Sequence, residues 1–355
     1  MKPPLPPQEI DEVVDASADD FLALRGARIL LTGGTGFIGD WLTSCLLRAD
    51  DRLRLGLRIA LLTRRPHCLP ARVADHCAVD VVVGDVRQLP PVGTPDLVIH
   101  AAASSSAKYG VGDGEPRTIA STIVQGTESV LTAARGARLL FFSSGAVYGR
   151  TPEPVAEDHS GAPDSMEPAT AYAQAKRLAE TLCAAATAAG DASVIVARLF
   201  AFVGPGLPLD AHFAAGNLIG DVLAGRPLVV TGDGRAVRSY LYAADLVSWA
   251  MALLVRGVAG RAYNVGSPDR VTIRELAGIA AGLAGTATPL PVRVLQRATP
   301  GVAPHVYVPS VDRAINELGV KVSTTLPVAL ARTVAWHRDN VSAAATSAAG
   351  LAGFR

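Results

Sequence analysis

The sequence lacks the features that mark membrane, secreted or nucleic-acid-binding proteins. Although 49% of its 355 residues are hydrophobic, it contains no apolar run of about eighteen residues, so no transmembrane helix is predicted. A net charge of +1 gives no electrostatic reason to expect nucleic acid or anionic lipid as a partner. No signal-peptide pattern opens the chain. We therefore expect a cytoplasmic protein that binds neither nucleic acid nor membranes.

The four cysteines lack the spacing of a metal site. Two of them, Cys68 and Cys77, directly follow His67 and His76, which places a thiol and an imidazole at each end of a short loop. Metal ligands usually lie about two to four residues apart within each half of such a site. We therefore predict no metal and expect the thiols to be free.

A glycine-rich turn is the first positive signal. The apolar run 27–31 predicts a buried strand, and the apolar periodicity after the turn predicts a helix. The segment Thr32-Gly-Gly-Thr-Gly-Phe-Ile-Gly39 lies between them, so Gly33 and Gly36 stand where strand turns into helix. Without side chains the backbone can approach a pyrophosphate, which the amides of the helix N-terminus then face. The alternative is a tight turn without a ligand, but a position between strand and helix favours phosphate binding.

A tyrosine and a lysine one helical turn apart are the second signal, in the segment Tyr172-Ala-Gln-Ala-Lys176. The predicted strand 138–143 comes before them and leads into the hydroxyls of Ser143 and Ser144, at the edge where open parallel sheets bind ligands. A hydroxyl, a phenol and an ammonium therefore converge if the fold is doubly wound. That trio suits alcohol oxidation, because a base must take the hydroxyl proton while hydride leaves the carbon. A neighbouring ammonium favours the phenolate.

Strands and helices alternate along the first two hundred residues. The strands are predicted at 28–32, 57–63, 79–83, 96–100, 138–143 and 193–198. This alternation predicts an α/β fold with a doubly wound parallel sheet of the Rossmann type and a smaller C-terminal α/β lobe. We divide the chain into an N-terminal extension and helix (1–25), a dinucleotide-binding domain (26–200), a mainly substrate-binding lobe (201–340) and a flexible tail (341–355). The chain is expected to cross between the two lobes.

Together with further motifs, these segments resemble the extended short-chain dehydrogenase/reductase superfamily, in its NAD(P)-dependent nucleotide-sugar epimerase/dehydratase branch, from about Arg28 to Arg338. The further motifs are Gly84-Asp-Val86, His100-Ala-Ala-Ala103, Gly126-Thr127, Ser143-Ser-Gly-Ala-Val-Tyr-Gly149, Arg198 with Gly204-Pro205, Gly232-Asp-Gly234 with Arg238-Ser-Tyr240, and Tyr263-Asn-Val-Gly266. The resemblance implies an enzyme that uses a nicotinamide cofactor on a nucleotide-diphosphate sugar. We also expect a homodimer.

The resemblance assigns catalytic roles to three residues. Tyr172 is the catalytic base, Lys176 holds the nicotinamide ribose and lowers the pKa of the tyrosine, and Ser144 hydrogen-bonds the reacting hydroxyl. Cofactor contacts are implied for Gly33, Thr35, Gly36, Phe37, Ile38, Gly39, Arg64, Arg65, Asp85, Val86, Ala101, Ala102, Ala103, Tyr172 and Lys176. Asp85 resembles the aspartate that binds the adenine amino group. Substrate contacts are expected at Ser104, Ser144, Tyr172, Asn217, Arg238 and Arg297, with Arg238 on the diphosphate.

The end of the second strand bears on the choice of cofactor. NAD-specific sheets usually carry Asp or Glu there, whereas a 2′-phosphate favours a guanidinium. This chain reads Leu61-Leu-Thr-Arg-Arg65, without an acid. We therefore predict NADP, with Arg64 or Arg65 on the phosphate. The alternative is NAD, with both arginines solvated and Thr63 on the ribose.

The residues after the catalytic hydroxyl bear on the reaction. Related enzymes that expel water carry Asp-Glu there, and decarboxylating members carry Glu just before Val-Tyr-Gly; those places here are Gly145 and Ala146. Without either carboxylate, elimination lacks an obvious proton donor and acceptor. We predict a 4-epimerase that acts through a 4-keto intermediate. The alternatives are a 4-ketoreductase or 4-dehydrogenase, a 4,6-dehydratase or UDP-glucuronate decarboxylase, and, in another class, a nonenzymatic NADP-binding protein.

Overall fold

A seven-stranded parallel sheet forms the centre of the fold in the computed structural model, which describes residues 3–102, 116–151, 153–209 and 213–352, with side chains as far as residue 340. In spatial order its strands are β11 (Ala262–Val265), β6 (Ser193–Leu199), β5 (Arg138–Ser144), β4 (Leu97–His100), β1 (Arg28–Thr32), β2 (Arg58–Thr63) and β3 (Val79–Val83). The strand order reverses between β1 and β4. Sheets of this kind bind ligands at such a reversal, beyond the carboxyl ends of the strands.

Helices cover both faces of this sheet because its strands are apolar on both sides. One face carries α1 (Pro7–Ala16), α2 (Ala18–Leu22), α3 (Phe37–Leu53), α4 (Ala71–Ala74), α8 (Ala243–Arg256) and α10 (Asp312–Leu318). The other face carries α5 (Pro116–Ala133) and α6 (Ala171–Ala188). Each face has its own cluster of buried apolar side chains, so the sheet lies between two cores.

A smaller lobe has a third apolar cluster. Its helices are α7 (Ala214–Leu223), α9 (Ile273–Ala281) and α11 (Leu326–Ala352), and its parallel pair is β8 (Leu228–Val230) with β13 (Val292–Val294). Two further ladders lie between this lobe and the sheet: β7 (Phe202–Val203) with β10 (Leu241–Tyr242), and β9 (Val237–Arg238) between β12 (Val271–Thr272) and β14 (Val306–Tyr307). These ladders bring residues that follow β6 in the sequence to the carboxyl edge of the large sheet.

The predicted fold class is confirmed, and each predicted strand lies within one residue of an observed one. The helix expected in the N-terminal extension is divided in two, because Ser17 has a φ of −120° and a ψ of 25° and interrupts the helical turn. The chain crossing is carried by α8 and β11, which belong to the large sheet. The backbone of α11 continues to Ala352, and the division into domains, the flexible tail and the homodimer stay predictions.

In the part of the chain that the structure describes, no helix is both long and apolar enough to cross a membrane. Within the same part, no three or more histidine, cysteine or acidic side chains come together as a cluster able to hold a metal ion. Cys68 and Cys77 are free and exposed. His76 instead accepts the backbone N–H of Ala78 and lies 3.3 Å from a carboxylate oxygen of Asp51.

The turn after β1 is held by contacts that leave no room for side chains. Gly33 has a φ of +78°, and a Cβ on it would lie 2.6 Å from the backbone of Ala101. A Cβ on Gly39, inside α3, would lie 2.1 Å from the carbonyl oxygen of Gly33. The first turn of α3 therefore packs directly on the loop that precedes it.

We expect Gly39→Ala to lower the free energy of unfolding by about 3 kcal/mol, because backbone atoms on both sides of the added methyl must move. Gly278→Ala is the matched control. Gly278 is also helical, its added Cβ would meet nothing within 4 Å, and we expect about 0.5–1 kcal/mol of stabilisation. Urea unfolding of both variants measures the difference; equal effects would contradict the close packing of α3 on its turn.

Candidate active site

The phosphate-binding turn is built by the backbone. Gly36 precedes the first residue of α3, Phe37, and has an extended conformation with a φ of −73°. It is exposed, and the only backbone atom near an added Cβ, apart from its own neighbours, would be the Gly33 carbonyl oxygen at 3.4 Å. Among the described residues, no side chain forms a capping hydrogen bond to this helix, and its N-terminal turn begins at the carboxyl edge of the sheet. These residues fit a pyrophosphate, which needs close backbone approach and helix amides.

The catalytic residues expected from the sequence come together at the end of β5. The strand extends through Ser144, whose buried hydroxyl accepts the backbone N–H of Ala146 at 3.1 Å and starts a short 3₁₀ turn over Gly145–Tyr148. Tyr172 lies in the first turn of α6 and is half-buried. The Ser144 hydroxyl is close enough to Tyr172 to lower its pKa by side-chain hydrogen bonding.

Lys176 lies one turn after Tyr172 and is buried. Its Nζ donates to the carbonyl oxygen of Phe142 at 2.5 Å and lies 4.7 Å from the centre of the Phe141 ring. Burial disfavours the charged form and lowers the pKa of Lys176 to about 8. A lysine held in this way can donate to a cofactor ribose and still titrates near neutral pH.

The groups around Tyr172 act on its pKa in opposite directions. Burial raises the pKa of Tyr172 above its ordinary value, and Ser144 lowers it by side-chain hydrogen bonding. Lys176 donates its ammonium N–H to the carbonyl oxygen of Phe142. The lowering of the Tyr172 pKa by Lys176 stays a prediction.

His100, which the sequence analysis mentioned only as part of a motif, is a fixed neutral ring. Its Nδ1 lies 2.8 Å from the Thr32 hydroxyl and its Nε2 lies 3.3 Å from the Thr127 hydroxyl. Burial, with a smaller effect from Lys176, lowers the pKa of His100 to about 3. The Thr32 oxygen also accepts the backbone N–H of Ala102 at 3.2 Å. This chain of contacts positions the segment after β4, where Ala101 and Ala102 are expected to meet the cofactor.

A half-buried ion pair lies next to the end of β5. Arg198 on β6 binds Glu180 on α6, with Nη2 2.7 Å from Oε2, and its Nη1 donates to the Tyr148 hydroxyl at 2.9 Å. Glu180 also accepts the hydroxyl of Ser143 at 2.5 Å. The sequence motif containing Arg198 therefore ties α6, β5 and β6 together.

One residue of the site was missed by the sequence analysis. Tyr307 on β14 places its hydroxyl 3.4 Å from the carbonyl oxygen of Leu199, and Leu199 is the residue that pairs with Ser144 across β5 and β6. Its ring packs on Phe200, with 4.7 Å between ring centres. The Tyr307 segment has no motif and comes more than a hundred residues after the catalytic helix, so only the fold reveals it.

The expected adenosine end of the cofactor site lies beyond β2 and β3. Arg64 and Arg65 are exposed, and the Thr63 hydroxyl accepts the backbone N–H of Arg65 at 3.1 Å. Asp85 is paired with Arg87, Oδ2 to Nη2, at 2.8 Å. The hydrogen bond from Arg87 and, to a smaller extent, the charge of Arg64 hold the pKa of Asp85 below its ordinary range. The arginines therefore lie on the side where an adenosine 2′-phosphate is expected.

Only some of the residues that were expected to contact the substrate lie near one another in the structure. Half-buried Arg238 pairs with Tyr307 across β9 and β14, and its Nη1 donates to the backbone oxygens of Val237 and His305 at 2.9 and 3.2 Å. Asn217 and Arg297 are exposed, and no contact in the described structure joins them to Ser144 or Tyr172. The expected contacts Ala103 and Ser104 lie outside the described residues.

Curated relatives share the sequence over most of its length. UDP-glucuronic acid decarboxylase 1 of Arabidopsis thaliana is 29% identical over 88% of this chain and 70% of its own length. UDP-glucuronic acid decarboxylase 1 of Xenopus tropicalis is 31% identical over 73% of this chain and 61% of its own length. The match thus spans less than two thirds of the Xenopus protein.

Solved structures share the fold. An epimerase from Methanothermobacter thermautotrophicus superposes with a TM-score of 0.76 and 25% identity, covering 94% of this chain and 98% of that one. The dTDP-glucose 4,6-dehydratase DesIV from Streptomyces venezuelae, solved with NAD, gives a TM-score of 0.73 and 26% identity over 88% and 97% of the chains. RMD from Pseudomonas aeruginosa, solved with NADPH, superposes with a TM-score of 0.68 and 27% identity, covering 88% of this chain and 99% of that one.

The family model for the NAD dependent epimerase/dehydratase family matches residues 29–266. This range includes the glycine turn, the Ser144 hydroxyl and the Tyr172–Lys176 pair. The comparisons support a nicotinamide cofactor, without deciding between NAD and NADP, and an enzyme of the short-chain dehydrogenase/reductase type. The chain belongs to the NAD dependent epimerase/dehydratase family.

Proposed function

We propose that this chain is a nucleotide-sugar decarboxylase that oxidises C4 of a UDP-linked uronic acid, releases the C6 carboxylate as CO₂ and reduces C4 again. The sequence led us to expect a 4-epimerase, with decarboxylation among the alternatives. The curated relatives favour that alternative, because both are UDP-glucuronic acid decarboxylases. The observation that carries the proposal is this similarity to decarboxylases over most of the chain, together with the hydroxyls of Ser144 and Tyr172 at the sheet edge.

The first step, oxidation at C4, follows from the positions of Ser144 and Tyr172. Ser144 holds the sugar hydroxyl and, by hydrogen bonding, lowers the pKa that burial raises in Tyr172. The fraction of Tyr172 that is present as phenolate takes the proton of the sugar hydroxyl. The bound nicotinamide ring supplies the hydride acceptor and later the hydride donor. Lys176 would hold the cofactor ribose. Its ammonium donates one N–H to the Phe142 carbonyl and has two further N–H groups for a ribose hydroxyl.

The second step separates decarboxylation from dehydration. Dehydration at C5 and C6 needs a base for the C5 proton and an acid for the leaving hydroxyl, and Gly145 and Ala146 supply neither. Oxidation of a uronic acid at C4 instead makes a β-keto acid, whose carboxylate leaves as CO₂ while the electrons move into the ketone. No protein carboxylate is required for that bond cleavage. The missing acid and base therefore weigh against a dehydratase. A decarboxylase is also without the Glu that such enzymes carry before Val-Tyr-Gly, which is Ala146 here, but its bond cleavage needs no carboxylate.

A 4-epimerase is the second candidate, favoured by the same two residues. A 4-epimerase returns the hydride to the other face of the ketone and needs no third acid or base, which also agrees with Gly145 and Ala146. The two candidates differ in solvent exchange. Decarboxylation places a solvent-derived hydrogen on C5, whereas epimerisation leaves every carbon-bound hydrogen in the sugar.

With UDP-glucuronic acid, we expect the wild type to release CO₂ and, in deuterated water, to give a pentose product labelled at C5. We expect Tyr172→Phe to lower turnover about a hundredfold or more, the usual loss when a general base is removed, with folding and cofactor binding kept. Mass spectrometry and proton NMR measure the C5 label of the product and the turnover of each enzyme. An unlabelled product of unchanged mass would support the epimerase instead, and near wild-type activity of the variant would contradict the role of Tyr172.

We further propose that NADP is the preferred cofactor. Arg64 and Arg65 are exposed after β2, where no acid is present to bind a ribose diol. The Thr63 hydroxyl, the alternative ribose ligand, already accepts the amide of Arg65.

Replacing Arg64 and Arg65 together by Ala should weaken NADP binding about tenfold or more and leave NAD binding nearly unchanged, because only NADP loses charge-assisted hydrogen bonds to a phosphate. Arg58→Ala is the control, since Arg58 is equally exposed at the opposite end of the same strand. Calorimetric titration with each cofactor measures the effect. Equal losses for NADP and NAD would mean that the arginines do not select the cofactor.

Cofactor affinity should fall about five- to tenfold as the pH rises through about 8. Lys176 has a pKa of about 8, so it is charged below that pH and neutral above it, and a charged donor binds the ribose more strongly. In Lys176→Arg the side chain stays charged, so the pH profile should be flat. Titrations on both sides of the pKa test this; an equally steep profile in the variant would assign the dependence to another group.

A further inference from the structure

A second phenol, Tyr307, shares the catalytic edge of the sheet. Its hydroxyl reaches the carbonyl oxygen of Leu199 at 3.4 Å, and Leu199 pairs with Ser144 in the β5–β6 ladder. Ser144 is also near enough to act on Tyr307 by side-chain hydrogen bonding, and the charge of Tyr172 acts on it as well. Ser144 therefore lies near two phenols, Tyr172 on α6 and Tyr307 on β14.

The space beside Gly145 is filled by an aromatic ring. A Cβ on Gly145 would lie 2.7 Å from Cζ of Phe200, so a larger residue there would require Phe200 to move. Phe200 packs on Tyr307, with 4.7 Å between the ring centres. Phe200 therefore takes the volume that an acidic side chain at position 145 would need, and it positions the ring of Tyr307, whose hydroxyl is a protic group at this edge.

The position of Tyr307 also relates it to the substrate. Tyr307 pairs with Arg238 across β9 and β14, and the Arg238 guanidinium carbon lies 5.9 Å from the centre of the Tyr307 ring. If Arg238 binds the nucleotide diphosphate, the attached sugar extends over Tyr307 towards Ser144 and Tyr172. The Tyr307 hydroxyl then lies beside the sugar, between Arg238 and the hydroxyls of Ser144 and Tyr172.

We propose that Tyr307 is the acid that delivers a proton to C5 of the substrate after CO₂ has left. This inference rests on the proposed decarboxylase function. The C5–C6 bond breaks, its electron pair forms a C4–C5 double bond, and the charge on the C4 oxygen is held by Ser144 and Tyr172. The enolate then takes the phenol proton at C5, which restores the C4 ketone, and the Tyr307 phenolate regains a proton from water.

The environment keeps Tyr307 in the form that a donor requires. Burial raises the pKa of Tyr307, which more than offsets the lowering by Ser144 and Arg238, so the phenol stays protonated at neutral pH. A proton is the only group that the cycle takes from solvent, and uronate plus one proton gives pentose plus CO₂.

The test is Tyr307→Phe, which keeps the ring on Phe200 and removes only the hydroxyl. With UDP-glucuronic acid and cofactor we expect a first turnover with reduced cofactor at 340 nm and about one CO₂ per site, followed by a steady state about a hundredfold slower than the wild type. The C5 label from deuterated water should change from a single configuration to a mixture. Tyr263→Phe is the matched control, because that buried phenol donates to Glu317 away from the site. We expect Tyr263→Phe to change the stability of the protein but neither the steady-state rate nor the configuration at C5.

The possible outcomes separate the two proposals. A steady state within about threefold of the wild type, with a single C5 configuration, would overturn the role of Tyr307 and leave the decarboxylase intact. Slow turnover without accumulated reduced cofactor would also overturn it, because the defect would then lie in C4 oxidation. A wild type that releases no CO₂ from UDP-glucuronic acid would overturn the proposed function, and this inference with it.

Discussion

The contact of a buried lysine with a strand carbonyl attaches the helix that carries Tyr172 to the central sheet. Lys176 is anchored on the Phe142 carbonyl, and an unpartnered charge at this depth would cost several kcal/mol. One turn later Glu180 holds Ser143 and Arg198. Helix α6 is therefore attached to β5 at two successive turns, so the distance between the Tyr172 and Ser144 hydroxyls is set by the sheet and not by loops.

The groups that sequence reasoning located are those whose signal is local. The glycine turn, the Tyr172–Lys176 spacing and the hydroxyls after β5 each occupy a few consecutive residues whose periodicity also predicts the element that carries them. The same holds for the order of strands, because alternation of strand and helix leaves few topologies. These parts of the fold and of the site could be predicted without coordinates.

The groups that sequence reasoning missed come from distant segments. Tyr307 belongs to a two-residue strand, too short for any periodicity, and Glu180 is an ordinary helical residue until Arg198 is placed beside it. The sequence revealed the absence of a carboxylate at Gly145, but only the packed structure shows that Phe200 fills its place. The burial that raises the pKa of Tyr172 is likewise not visible in the four-residue spacing to Lys176, because it depends on the packed fold.

The buried carboxylate of the N-terminal helix has a consequence for the order in which the chain folds. Glu9 on α1 accepts the hydroxyl of Tyr242 and lies 4.0 Å from Arg332, near the end of the chain. Burial raises the pKa of this carboxyl. During synthesis on the ribosome α1 emerges long before the phenol and the guanidinium that offset the desolvation of Glu9, since Tyr242 follows Glu9 by 233 residues and Arg332 comes later still. The final docking of α1 must therefore wait for α11, so a segment that is made early reaches its native place late.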